Sequence, residues 1–468
     1  RGRATRAMLA RGRLRVRRAP TRYDPVRPMP LRPALRPLIA ALAALAAAAP
    51  AWAASIMHGF ADMTSMTLWV QTERAARVAV ELHPEGDPGR RRRVEGTTRA
   101  EDDFALALRL AGLDPGTRYR YAVTVDGRSV AEPGRFATQP LWQFRTAPPA
   151  FAVAFGSCLY LNDRFDRPGR TWGGDFGILD AITAQAPDLM LWLGDNVYLR
   201  EPEWTSIEAM SARYRAVRAM PELRRLARAT SHVAIWDDHD FGPNDSDGSF
   251  VLKGAALETF KRYWPNPAHG LPGVAGVFGM VTYGDVDFFL LDNRFHRYPN
   301  RYPPTAEKAM FGRAQLAWLK QALVASRAPF KVVVAGGQLW NRANRFEAFH
   351  GYPAEQKALA DWLLEQKIAG VVFLTGDRHF GGLWRVERPG AYPLYEFTSS
   401  PLTAGVLAHP PSEERENPEL VPGTLLTQRN FGMVRVSGPR AERVLTLEAY
   451  DASGTLLWQR RIAAAELR

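Results

Sequence analysis

The chain is poor in cysteine: its 468 residues contain one, Cys158. A single thiol excludes an intramolecular disulfide framework, so the fold must be held by packing. Beyond residue 53 there is no apolar run of the length that a membrane-spanning helix needs. The main body also lacks an excess of either charge. The formal net charge is +13, but residues 1–53 hold twelve Arg against one Asp, and removing that +11 leaves only +2. Specific nucleic-acid binding through a basic surface is therefore not expected. Internal repeats and long low-complexity tracts are missing as well, which excludes a solenoid. What is present is an ordinary globular composition, 46% hydrophobic and 23% charged, at a length that predicts two domains rather than one core.

Residues 1–53 read as a leader. Arg32 and Arg36 form a positive segment, "LIAALAALAAAA" (Leu38–Ala49) is a short apolar core, and "PAWA" supplies an Ala-x-Ala cleavage site after Ala53. The expectation is a secretory signal peptide and an exported protein, periplasmic or extracellular, with no transmembrane segment in the mature chain. The core is too short and too rich in Ala for an anchor. Met29 is a natural start, so residues 1–28 read as an over-extended N-terminus. The twin-arginine pair Arg17-Arg18 lies too far upstream of the apolar core to argue for that export route.

From residue 54 to 147 the pattern is all-β. "TSMTLWVQTE" and "ARVAVELHPEG" alternate apolar and polar, and "LAGLDPGTRYRYAVTVDGR" places Tyr119, Tyr121, Val123 and Val125 on one face before an Asp-Gly turn. The Leu-Asp-Pro-Gly corner followed by tyrosine predicts an immunoglobulin or fibronectin III-like sandwich. No cluster of ligand-type residues decorates it, so its expected task is to pack against the rest. The less bland reading is attachment to a surface.

"FRTAPPA" (Phe144–Ala150) marks a boundary, and residues 148–468 follow another grammar. Short apolar strands, "FAVAFGSC", "DLMLWLGDNVY", "HVAIWDDHD", "VDFFLLDNR", "FKVVVAGGQLW" and "GVVFLTGDRHF", alternate with helical stretches such as "DFGILDAITAQA", "MFGRAQLAWLKQALVAS" and "PAEQKALADWLLEQK". This predicts a layered α/β domain.

The chemistry gathers where those strands end. Cys158 closes the first, Asp195 and Tyr198 follow the second, and Asp237, Asp238, His239 and Asp240 crowd the third. Asp377, Arg378 and His379 follow a later one. Alone, "DDHD" could be a helix cap, a "GD" a turn, and His379 a packed core histidine. Repeated four times, the pattern reads otherwise, because ligands bind beyond the carboxyl ends of strands in open α/β sheets. Thiolate, phenolate, imidazole and carboxylate together form a metal-ligand set. Bound cations would make such a crowd of like charges favourable.

The stretches "FGSC", "LWLGDNVY", "IWDDHDFGPND", "LLDNR", "FLTGDRHF" and "LYEFTSSPLTAG" resemble the alkaline phosphatase D family of metallophosphoesterases, across residues 55 to 462. "GDxxY" is also shared with purple acid phosphatases. The resemblance implies an α/β metallophosphoesterase sandwich and a multinuclear site of iron and calcium. It implies Asp195 as bridging carboxylate, Cys158, Tyr198 and His379 on the iron side, and Asp377 with an oxygen of the "DDHD" loop for harder cations. Asp238 is the favoured oxygen, with Asp237 and Asn244 as alternatives. His239 would protonate the leaving group or hydrogen-bond the phosphate, Asp240 would orient its ring, and Arg378 could reach a phosphate oxygen as a fork donor.

The implied substrates are small-molecule or lipid phosphate esters. The competing expectations are a phosphodiesterase or phospholipase-type hydrolase of the same family, and a catalytically silent surface-binding module.

Overall fold

The computed structural model describes residues 54–164, 166 and 171–468; the leader expectation lies outside them. Among the described residues no helix is long and apolar enough to cross a membrane.

The first part is all-β, as the alternating pattern predicts. Strands β1 (Ser55–Ala61), β2 (Ser65–Gln71), β3 (Ala76–Pro84), β4 (Arg92–Thr98), β5 (Ala105–Ala111), β6 (Arg118–Val125), β7 (Arg128–Ser129) and β8 (Gly134–Ala137) build two sheets. One has the order β1-β2-β5; the other runs β4-β3-β6-β7, with β8 paired to β6. Val78, Val80, Leu82, Tyr119, Tyr121, Val123 and Val125 face Leu68, Val70, Leu108 and Leu110 in a core of their own. At the predicted corner, the Tyr119 hydroxyl accepts a hydrogen bond from the Asp114 amide at 2.8 Å. Tyr119 is buried, so Tyr119→Phe should leave that amide unsatisfied and cost about 1–2 kcal/mol. A denaturant midpoint checks this.

The remaining strands form two further sheets, each of six strands. The first joins β9 (Phe151–Gly156), β10 (Leu189–Leu193), β11 (Ser231–Ile235), β18 (Asn430–Ser437), β19 (Val444–Asp451) and β20 (Leu456–Ala463) in the order β11-β10-β9-β18-β19-β20. The second joins β12 (Gly279–Tyr283), β13 (Val286–Leu290), β14 (Phe330–Val334), β15 (Val371–Thr375), β16 (Gly382–Arg388) and β17 (Ala391–Thr398) in the order β12-β13-β14-β15-β17-β16. Pairing is parallel at β9-β10-β11 and β13-β14-β15-β17, and antiparallel at the outer strands. The parallel strands are covered on both faces, which is why they read as unbroken apolar runs. The two sheets pack through aromatic rings, among them Phe155 against Phe397 at 4.9 Å and Phe151 against Tyr283 at 5.1 Å.

Helices α1 (Gly177–Ala184), α2 (Ile207–Arg218), α3 (Pro221–Ala229), α4 (Asp238–Phe241), α5 (Lys253–Tyr263), α6 (Arg313–Ala325) and α7 (Pro353–Glu365) connect the strands. The sequence pattern predicts α1, α6 and α7. It does not mark α2, α3 and α5, whose apolar stripes are interrupted by Arg213, Arg218, Arg224 and Arg262. Burial explains two of these. Arg213 pairs with Glu203 at 2.8 Å, and Arg218 lies over the Trp264 ring at 3.9 Å. Met57, Trp69 and Ala105 of the all-β part belong to the larger core, and the Trp69 indole donates to the Arg262 carbonyl at 2.7 Å.

Candidate metal centre

Parallel pairing places the carboxyl ends of β9, β10 and β11 side by side, and β15 ends in the facing sheet. The four acid- and thiol-bearing loops thus leave the sheets at one edge. Turning sharply there has a cost that the backbone records. Cys158, Asp195, Asp377 and His379 have φ of 63°, 51°, 74° and 56°, in the left-handed region. Non-glycine residues pay roughly 1–2 kcal/mol for that conformation, although Asp tolerates it better than most. Of the eleven non-glycine residues with positive φ among the described residues, these four carry ligand chemistry, and such strain is held at functional sites.

Asp195 is the hub. Its Oδ2 lies 3.4 Å from the Cys158 sulfur and accepts from the Tyr198 hydroxyl at 3.2 Å; its Oδ1 accepts from the His239 amide at 3.2 Å. The Tyr198 hydroxyl is also 3.1 Å from His379 Nε2. Ser400 donates to the Cys158 sulfur at 3.2 Å. Ligand atoms of Cys158, Asp195 and His379 lie within 4.8 Å of one another, as do those of Asp195, Asp238 and His239, and those of Asp237, Asp238 and Asp377. Soft and nitrogen donors are on one side, carboxylates on the other, and Asp195 and Asp238 join the groups.

Electrostatics make this crowd expensive without cations. Burial, with repulsion from Asp238, Cys158 and Asp237, pushes Asp195 well above the usual carboxylate range. Burial and the Asp195 charge do the same to the Tyr198 phenol. The Cys158 thiol is pushed up to about 12, first by burial and then by Asp377. Asp377 itself rises to about 7 through burial and the neighbouring Asp237. Burial would raise Asp238 too, but His239 and Arg294 hold it below its usual range. Asp237 Oδ2, Asn196 Oδ1, Asn293 Oδ1 and His239 Nδ1 are buried with no hydrogen-bond partner in the protein. Orphaned oxygens beside mutually repelling acids fit a site for hard cations, and thiol, phenol and imidazole fit a softer one.

Of the alternatives in the "DDHD" loop, Asp237 and Asp238 both lie beside Asp377. Asp237 accepts from the Asn293 side chain at 2.8 Å and the Arg294 guanidinium at 2.5 Å. Asp238 faces the cluster, taking one bond from the Asp245 amide at 2.8 Å. Asn244 is exposed.

Two role expectations need correction. Asp240 does not orient the His239 ring. Adjacent helical residues point in different directions, and Asp240 instead accepts from the Asn196 amide at 3.0 Å and the Asp237 amide at 3.1 Å, tying the second and third loops together. Arg378 is not free to grip a phosphate. It is buried, paired with Glu414 at 2.9 Å, and lies against Phe346 and Phe380.

The sequence reading missed Asn293, Arg294, Arg297 and Glu347. Arg294 bridges Asp237 and Glu347 (2.7 Å), and Arg297 also meets Glu347 at 3.0 Å. The first two were findable, since "LLDNR" follows a strand as the other motifs do. Glu347 sits in a long loop with no local signal. Gly336 has a physical reason as well: a Cβ there would lie 2.7 Å from Asp237 Cγ.

A family model described as PhoD-like phosphatase matches residues 154–438. The chain belongs to that family. A model for a domain of unknown function matches residues 57–141. The family's alkaline phosphatase D of Bacillus subtilis (strain 168) is 24% identical over 340 residues, which cover 61% of this chain and 55% of the relative's length. Among solved structures, PhoD superposes with a TM-score of 0.71 at 18% identity, over 87% of this chain and 91% of that one. The purple acid phosphatase PPD1 of yellow lupin (Lupinus luteus) superposes with a TM-score of 0.66 at 12% identity, over 88% and 74%. The fold of mixed α/β sheets is thus that of PhoD and of a purple acid phosphatase.

Proposed function

We propose that this protein is an exported, metal-dependent phosphoester hydrolase, with residues 148–468 as the catalytic domain and residues 54–147 as an immunoglobulin or fibronectin III-like domain packed against it. Export rests on the leader's sequence, with cleavage near Ala53. The observation that carries the hydrolase reading is the meeting of Cys158, Tyr198 and His379 at Asp195, with Asp238, Asp237 and Asp377 beside them. Cys158, Tyr198 and His379 suit iron; Asp377 and Asp238 suit calcium; Asp195 would join the two. Cations held there supply Lewis-acid charge for in-line attack of water on phosphorus.

The chain's own residues do the rest. Burial lowers the His239 imidazole below its ordinary range, against the pull of the neighbouring Asp238 and Asp237. His239 is partly open to solvent, and its ring packs against that of Tyr198, with centroids 4.2 Å apart and planes tilted by 32°. From that position it can hydrogen-bond a phosphate oxygen. Asp240 and Arg294 act at one remove, holding Asn196 and Asp237 in place. Arg378 braces the Asp377–His379 loop against Glu414.

Elemental analysis of the purified protein, with hydrolysis of model mono- and diesters before and after chelation, tests this. Iron with calcium, and turnover that disappears on chelation and returns on re-addition, is the expected result. Full turnover by metal-free protein would end the reading.

A further inference from the structure

Like charges gathered around a cleft repel one another unless something of opposite charge sits between them. Where the all-β part meets α3, a cleft of about 770 Å³ is lined by Arg135 of β8 and by Arg224, Arg225 and Arg228 of α3, with Ile56 and Val130 beside them. No Asp or Glu lines it. Arg224 and Arg228 stand one helical turn apart on the same face, where like charges repel. The nearby acids are already engaged. Asp180 holds Arg225 in a fork of two bonds at 2.8 Å, and Glu222 meets the same guanidinium at 3.4 Å. Glu85 lies 3.3 Å from Arg135 but is shared with Arg118 and Arg120. Among the described residues, Arg224 and Arg228 have neutral partners only. Arg224 donates to the Ser55 hydroxyl at 3.3 Å and to the Arg218 carbonyl at 3.4 Å. Arg228 donates to the Glu132 carbonyl and to the Tyr121 hydroxyl, which is itself 2.8 Å from His58 Nε2. Its Nε is buried with no partner in the protein.

Two guanidinium groups without a counter-ion, one with an unsatisfied buried donor, suit a compact anion of more than one charge. Their forked donors match a tetrahedral oxyanion in shape as well as in charge. The cleft also lies away from the metal centre. Ala229 borders it just before β11 begins, whereas Asp238 and His239 follow the other end of that strand, and five residues of strand span about 17 Å. None of the exposed large apolar side chains among the described residues lines it, so a lipid headgroup would bring its bilayer against nothing that inserts. A free ion fits better.

We propose that Arg224 and Arg228, with Arg135 of the all-β part, bind inorganic phosphate at a site separate from the metal centre. Phosphate is what a monoester would release at that centre, so this link to activity rests on the hydrolase reading; the binding does not. Calorimetry of the purified, metal-loaded protein with inorganic phosphate tests it. Arg224→Gln and Arg228→Gln each remove a charged donor and should weaken this site about tenfold or more. Gln keeps a donor for the Ser55 hydroxyl and the Glu132 carbonyl, so the fold should survive. Lys at either position keeps the charge but loses the fork, and should bind between Gln and wild type. Arg461→Gln removes an exposed guanidinium from β20 and should change nothing. Asp195→Asn should lose any phosphate held at the metal centre and keep this one. Phosphate should then raise the unfolding temperature of Asp195→Asn, but not once Arg224→Gln and Arg228→Gln are added to it. Acetate, a planar monoanion, should bind at least about tenfold more weakly than phosphate. Undiminished phosphate binding after both arginines are replaced overturns the site. So does loss of all phosphate binding in Asp195→Asn, or acetate bound as tightly as phosphate. Hydrolysis retained without this binding counts against the site alone. Binding that depends on the arginines in a protein that hydrolyses no ester counts against the hydrolase reading alone.

Discussion

Asp195→Asn is expected to lower phosphoester hydrolysis by roughly a thousandfold or more, because it removes the oxygen charge shared by both halves of the site. Asn keeps the shape: its oxygen can still accept from the His239 amide, and its NH2 can donate to the Tyr198 hydroxyl oxygen where Oδ2 accepted before, so a folding defect is not the expected cause. The informative readout is stability with and without metal. In chelated protein Asp195 is a buried carboxylate repelled by Asp238, Cys158 and Asp237. Removing its charge there should raise the unfolding temperature. In loaded protein the same charge is what the cations bind, so its removal should lower that temperature. A change of sign between the two conditions is the signature of a cation site. Shifts of equal sign and size in both would show Asp195 to be an ordinary buried acid, and the scheme would go with it.

The second large effect concerns acid. His58 and His232 lie outside the metal centre, and burial drives both imidazoles down to about 3. In His232 the tautomer is fixed from both sides: the Trp192 indole donates to Nδ1 at 2.9 Å, while Nε2 faces the Leu226 carbonyl at 3.2 Å. A proton on Nδ1 would break the first bond and leave a cation in the core. The unfolded chain accepts that proton near pH 6.5, whereas the folded chain refuses it. Stability is therefore fully present above pH 6.5 and falls as the pH drops toward 3.

At pH 5 each histidine should cost about 2 kcal/mol relative to pH 8. Glu396 works in the opposite sense, since burial raises it to about 7 and its contribution is lost as pH rises from 4.5 through 7. Urea midpoints of wild type and of a His58→Gln, His232→Gln double variant between pH 8 and 5 separate the two. The wild type should lose about 4 kcal/mol more than the double variant. Parallel curves would refute the assignment.

How far the sequence reaches is clear from particular elements. Apolar runs ending in Cys158, Asp195, Asp238 and Asp377 were legible because a parallel strand buried on both faces must be apolar along its whole length, and polar residues can only follow it. The Tyr119 corner was legible because its spacing to Asp114 is local. Arginine-laced α2, α3 and α5 were not, since their charges are compensated by partners distant in sequence, such as the Trp264 ring beneath Arg218. Glu347 was invisible for the same reason: its meaning lies in Arg294 and Arg297, some fifty residues away.

By itself, then, the amino-acid order determined which residues have ligand chemistry and that each follows a buried strand, because residue type and hydrophobic period are local properties. Only the tertiary structure decided that Asp240 ties loops together, that Arg378 belongs to Glu414, and that Arg294 joins Asp237 to Glu347. Those outcomes depend on where side chains point once two sheets close on each other, and no spacing along a single chain encodes a direction in space.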